Sequence, residues 1–184
     1  TYKAILIAFI SVISVFNTTA EGFQFPNKNK KIHTIIISGN YVQTRLLGEL
    51  VQIRTRQPVI LIPANKAYKQ LYVTLPQSAL KVSTAKFADF INFTNPKRVI
   101  FIGDKDSTDY KLANKIPLGK TKIYKLDDKD LMHTAWQLEE LLTLNNLAED
   151  FKAKIKLLTA SGVIQNKKAS VAPAASEPSI ILPQ

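Results

Sequence analysis

A chain of 184 residues with 46% apolar side chains has room for one ordinary domain and a matching core, which excludes wholesale disorder. Twenty-five basic residues against fourteen acidic ones leave a net charge of +11, which points to an anionic partner: nucleic acid, an acidic polymer or a membrane surface. The lack of cysteine excludes disulfides, Cys-ligated metal, a thiol nucleophile and lipoprotein-type acylation.

Lys3 precedes an apolar run from Ala4 to Phe16, about thirteen residues long. That is short of the ~20 a spanning helix needs. Thr18 and Ala20 then supply small residues before a cut at Ala20–Glu21, so residues 1–20 read as a signal peptide rather than an anchor. Export to the cell envelope, periplasm or cell surface removes nucleic acid from the partners and leaves envelope polymers and lipid surfaces. Residues 21–31 form a basic lead-in, and residues 32–160 form the folded domain.

The first strand is expected at about His33–Ser38, followed by a Ser38-Gly39-Asn40 turn. Asn40 and Gln43 have capping-box spacing for a helix over Tyr41–Thr55. Its expected buried stripe is Val42, Leu46, Leu50 and Ile53, flanked by Leu47 and Val51, with Arg45, Glu49, Gln52 and Arg56 towards water. A continuous apolar strand, Val59–Ile62, lies between Pro58 and Pro63, as expected of a strand covered on both faces. A mixed region follows, ending in a helix from about Thr84 to Phe93 that Asn95-Pro96 stops. Arg98–Ile102 reads as a third strand and Lys122–Leu126 as a short fourth. A long helical pattern then starts behind Asp127 and Asp128 and runs to about Leu158, broken near Asn145-Asn146. The Ala/Pro/Ser-rich residues 161–184 read as a disordered tail. The fold class is therefore α/β: three layers, a mostly parallel sheet of about four strands with helices on both faces, and a long C-terminal helix.

Charge is unevenly placed. Lys28 to Arg98 holds twelve basic residues against Glu49 and Asp89, whereas Val99 to Gln165 holds ten of each sign. The residues expected to meet an anion are Arg45, Arg54, Arg56, Lys66 and Lys69, with Val59–Leu61 supporting them. Arginine suits that task because its planar fork grips phosphate or carboxylate in two places.

Catalytic patterns are sparse. The Gly39 turn lacks both the dinucleotide fingerprint and the P-loop lysine, so a simple strand-to-helix turn explains it best. Asp104, Asp106 and Asp109 follow the third strand, where an Asp-x-Asp holds a divalent cation in sugar-nucleotide transferases. The positions that a calcium loop gives to Gly and Glu are Asp109 and Lys115 here, and an ordinary solvated loop is the stronger reading. His33 and His133 lack ligand spacing, and Trp136 reads as core. No cofactor or resident metal is implied, and the expectation is that the chain is not an enzyme.

The order of elements resembles one unit of the cell wall-binding repeat 2 family. Leu46 keeps the last residue of that family's first helix motif, although Thr44 and Arg45 replace its Asp-Ala. Pro58, Val59, Ile60 and Leu61 match its Pro-Ile-Leu-Leu strand. Gly103 stands for the first glycine of its Gly-Gly, Lys125 for its arginine and Asp130 for its aspartate, and Thr134-Ala135 matches its Thr-Ala. The resemblance covers Ile32 to Leu142 and implies non-covalent binding to an anionic envelope polymer without catalysis. Family members pack three units together, so a single unit implies a homo-oligomer such as a trimer, or incorporation into a larger envelope assembly. The main alternative is a structural subunit of a secretion, pilus or surface-layer machine, with "SIILP" in the tail adding a strand to a neighbour. The second alternative is a metal-dependent sugar-nucleotide enzyme using Asp104 and Asp106.

Overall fold

The computed structural model describes residues 31–164 apart from 66, 77, 107, 118 and 120. The expected leader, most of the lead-in, nearly all of the tail and Lys66 lie outside the described residues.

β-Branched runs set the sheet. β1 (Thr34–Gly39) is buried along its whole length, and so is β2 (Val59–Ile62). Between them α1 (Val42–Thr55) makes the crossover that parallel pairing requires. β3 (Gln70–Leu75) and β4 (Ser78–Ser83) form a hairpin, and α2 (Phe87–Thr94) returns the chain to β5 (Arg98–Ile102). After a 3-10 segment (Tyr110–Lys115), β6 (Lys122–Leu126) leads to α3 (Leu131–Leu142) and α4 (Leu147–Ala160).

The sheet has six strands in the order β4-β3-β2-β1-β5-β6. β2, β1, β5 and β6 run parallel, and the β3–β4 hairpin adds two antiparallel strands beside β2. The expected count of about four strands is thus corrected to six. The hairpin alternates around Leu71, Val73 and Val82, which are buried against one face only. Half-buried antiparallel strands show this period-2 pattern.

The three-layer expectation holds in part. One face carries α1, α3 and α4, whose Leu47, Val51, Leu138 and Phe151 pack with Ile36, Val59, Leu61, Ile100 and Ile102. The other is covered by the two-turn α2 and the 3-10 segment, through Phe87, Phe90, Ile91, Leu112 and Ile116. The long C-terminal pattern is two helices, parted where Thr143 and Asn146 take φ of 53° and 58°. Among the described residues no helix is long and apolar enough to cross a membrane.

α1 is rotated relative to the expected stripe. Val42 and Ile53 are 50% and 63% exposed, while Thr44, Leu47, Gly48, Leu50 and Val51 are buried. The small residues Thr44 and Gly48 let the helix approach the sheet more closely than the leucine-rich face could. A Cβ on Gly48 would stand 3.2 Å from Val59 Cγ1. The expected capping box is also absent: Tyr41 is the N-cap and makes no side-chain cap bond. Trp136, expected in the core, is 58% exposed, because α3 buries Thr134, Ala135 and Leu138 instead.

Gly48→Val will therefore destabilise the fold by about 1–3 kcal/mol through overpacking against Val59. A urea unfolding midpoint lowered at unchanged slope is the expected result.

Candidate functional site

The parallel strands divide the molecule into two ends of opposite character. At their N-terminal ends, Arg98 N–H donates to His33 O (3.1 Å) and Lys122 N–H donates to Lys97 O (2.9 Å). Gln57 Oε1 accepts from the amides of His33 (2.7 Å) and Thr34 (3.0 Å). These bonds set Arg56-Gln57, Lys31–His33, Lys97-Arg98 and Lys122 at the ends of four adjacent strands. Neighbouring strands lie about 4.8 Å apart, so the row spans roughly 14 Å of sheet edge.

Some cations here serve the fold. Arg98 donates to Thr34 Oγ1 (2.9 Å) and to Leu141 O (3.0 Å), closing the last turn of α3. Arg54 binds the carbonyls of Asn145 and Asn146 and pairs with Asp150, tying α1 to the α3–α4 connection. Glu139 accepts from the amides of Asn146 (2.9 Å) and Ala148 (3.1 Å) at the start of α4. Lys31, Arg56, Lys97 and Lys122 are exposed, and none forms an ion pair with a described residue. Arg56 holds φ of 57° as the left-handed C-cap of α1, its amide donating to Gln52 O.

The five expected anion-binding residues therefore do not form one group. Arg45, exposed on α1, pairs with Glu49 at 2.7 Å. Arg54 is consumed by the α3–α4 connection. Arg56 belongs to the N-terminal row, Lys69 stands exposed just before β3 near the opposite edge, and Lys66 lies outside the described residues. Sequence reasoning missed Lys31, Lys97 and Lys122. They come from three separate segments, which strand pairing alone brings together.

The C-terminal ends carry the turn and the aspartates. Gly39 N–H donates to Thr108 Oγ1 (3.3 Å), which itself donates to Ile102 O (2.6 Å). Asn40 N–H donates to Ile62 O (2.7 Å) and Thr44 Oγ1 donates to Gly39 O (2.7 Å). The amides of Gly39 and Asn40 are both used internally, as in a strand-to-helix scaffold turn.

The aspartates are turn-formers too. Asp104 Oδ1 accepts from Asp106 N–H (3.2 Å). Asp109 caps the 3-10 segment through Lys111 N–H (3.0 Å) and accepts from Tyr68 Oη (2.6 Å). Burial first, and the Asp109 bond second, push the Tyr68 phenol well above its ordinary range. Among the described residues no group of three or more His, Cys, Asp or Glu side chains could hold a metal ion. Asp128 is held below the ordinary carboxylate range by the Asp130 amide first and by His133 second.

The family-motif positions all have local structural roles. Leu46 packs partly against the helical core, and Pro58 to Leu61 are buried at and in β2. Gly103 holds φ of 98°, which side-chain-bearing residues rarely adopt. Lys125 Nζ stands 5.9 Å over the Tyr110 ring. Asp130 caps α3 through Met132 N–H (2.9 Å), while Thr134 and Ala135 are buried on that helix.

The chain matches no family model, no curated protein and no solved structure.

Arg54→Ala will lower stability by about 0.5–1.5 kcal/mol, since it removes the hydrogen bonds and the ion pair that tie α1 to the α3–α4 connection at a partly exposed site. A drop in thermal midpoint with unchanged binding to anionic polymers is the expected outcome.

Proposed function

We propose that this chain is an exported, non-enzymatic module that binds an anionic polymer of the cell envelope through the N-terminal edge of its sheet. One observation carries the reading: Lys31, Arg56, Lys97 and Lys122 stand exposed at the ends of four adjacent strands and form no ion pair with a described residue. A linear polyanion repeats its charge along one direction, and a row of cations about one strand spacing apart can follow it. The sequence supports the same partner through its net charge of +11 and its leader-like apolar segment. The motif likeness to wall-binding repeats points the same way. Lys28 and Lys30 precede the row in sequence and would extend its charge.

The test is co-sedimentation of the full chain with wall sacculi, with and without their anionic polymers, over a range of salt. Binding should need the polymer and fade as salt rises, because exposed charges are screened within a Debye length of about 8–10 Å. Lys97→Glu and Lys122→Glu should each weaken binding about tenfold at low salt. Binding that survives the double reversal, or none at low salt, would overturn the proposal.

Arg56→Gly separates binding from folding. Glycine relieves the left-handed strain and should add about 0.5–1 kcal/mol of stability. The same change should weaken polymer binding, so the thermal midpoint rises while affinity falls.

A further inference from the structure

The face of α1 that turns away from the sheet carries apolar side chains. Val42 and Ile53 lie on it, 50% and 63% exposed, and Arg45 and Glu49 stand between them at helical spacing. The patch continues on α4, which runs antiparallel to α1. Arg54, near the end of α1, binds Asn145, Asn146 and Asp150 at the start of α4. Val163 and Ile164, just beyond α4, lie beside Tyr41–Thr44 at the start of α1. Leu157 follows Asp150 by two helical turns, so it borders α1 about level with the middle of that helix. It is 63% exposed, and Ala153 and Ala160, a turn before and after it, are exposed as well.

Two independent features of this patch agree on its occupant. The first is charge. Its ionic groups come in opposite pairs, Arg45 with Glu49 and Arg54 with Asp150, so the patch is close to neutral on a chain of +11. A polyanion gains little there, whereas a second positive copy meets little repulsion. The second feature is symmetry. Val42 and Ile53 are centred on Leu47-Gly48, and so are Arg45 and Glu49. Turning α1 end over end about that point lays Val42 on the other copy's Ile53 and Arg45 opposite the other copy's Glu49. Leu157, level with the same point, meets its counterpart. Every acid then faces a base in both copies, the self-complementarity that an isologous contact needs.

We infer that the outer face of α1 and α4 is a docking surface for a second copy of this chain, with the two α1 helices antiparallel about a two-fold axis beside Leu47-Gly48. α1 is about 21 Å long and a packed helix lies about 8–10 Å beside it, so each copy offers roughly 400 Å², the range of weak, reversible pairing. The contact leaves the cation row uncovered, because α1 ends at Arg56 and an antiparallel pair sets the two rows at opposite ends. The inference does not depend on what the row binds.

Sedimentation equilibrium of the full chain, loaded from micromolar to millimolar concentration, should give a mass rising from the 20.6 kDa of one chain towards twice that value. Apolar contact between molecules of like net charge should hold or tighten as salt rises, opposite to the salt dependence of polymer binding. Ile53→Glu, at an exposed position, should leave monomer alone with an unchanged circular dichroism spectrum. Arg45→Glu and Glu49→Arg should each weaken pairing about tenfold, because each sets like charges face to face on both sides of the axis. An equimolar mixture of those two variants should restore pairing, since the acidic face of one then meets the basic face of the other. Monomer at every concentration, a trimer, pairing that survives Ile53→Glu, or no recovery on mixing would each overturn the inference.

Discussion

The rest of the structure depends on β1 lying in the middle of the sheet. Thr34–Gly39 is buried on both faces, so its backbone donors and acceptors have to be met by strands on either side. β2 meets them on one flank and β5 on the other. The side chains bind the two cores together, with Ile36 in one and Ile35 and Ile37 in the other. A fully buried isoleucine contributes about 1.5–3 kcal/mol. Three of them rival the whole net stability of a domain, which is about 5–15 kcal/mol.

That central position gives the molecule its two unlike ends. Parallel strands collect their starting residues at one edge and their loops at the other. The N-terminal edge gathers cations from the lead to β1, the end of α1 and the starts of β5 and β6. The C-terminal edge gathers the aspartate-bearing loops, and Thr108 stitches Gly39 to Ile102 across the reversal point. The stitch uses the Gly39 amide internally and fixes the loop after β5 against the turn after β1. The net charge of the chain hides this polarity, because the two edges carry opposite signs.

Much of the fold was legible because its signals are local. The apolar runs of β1, β2 and β5, the stop at Asn95-Pro96 and the break at Asn145-Asn146 each reflect what a few neighbouring residues can adopt. Asn95 and Asn146 take positive φ, at 43° and 58°, which asparagine tolerates better than most residues. The β3–β4 hairpin was less legible: its alternation is short and its turn falls at Pro76. The helix stripe was misplaced because leucines weigh more than glycine in a hydrophobic pattern, whereas packing against a sheet rewards the smallest face. The site was hardest to read. Arg45 and Arg54 look like free cations in the sequence, yet their partners, Glu49 and Asp150, lie one turn and 96 residues away.

The sequence by itself determined the class of the fold, the order of its main elements and the excess of positive charge, since these follow from local sterics, hydrophobic period and composition. The tertiary structure decided which cations are spent on carbonyls and carboxylates, and that Lys31, Arg56, Lys97 and Lys122 gather at one edge while Asp104 and Asp128 follow strands at the other. Those outcomes depend on strand order and pairing, which join residues far apart in the chain and leave no mark in any single stretch of it.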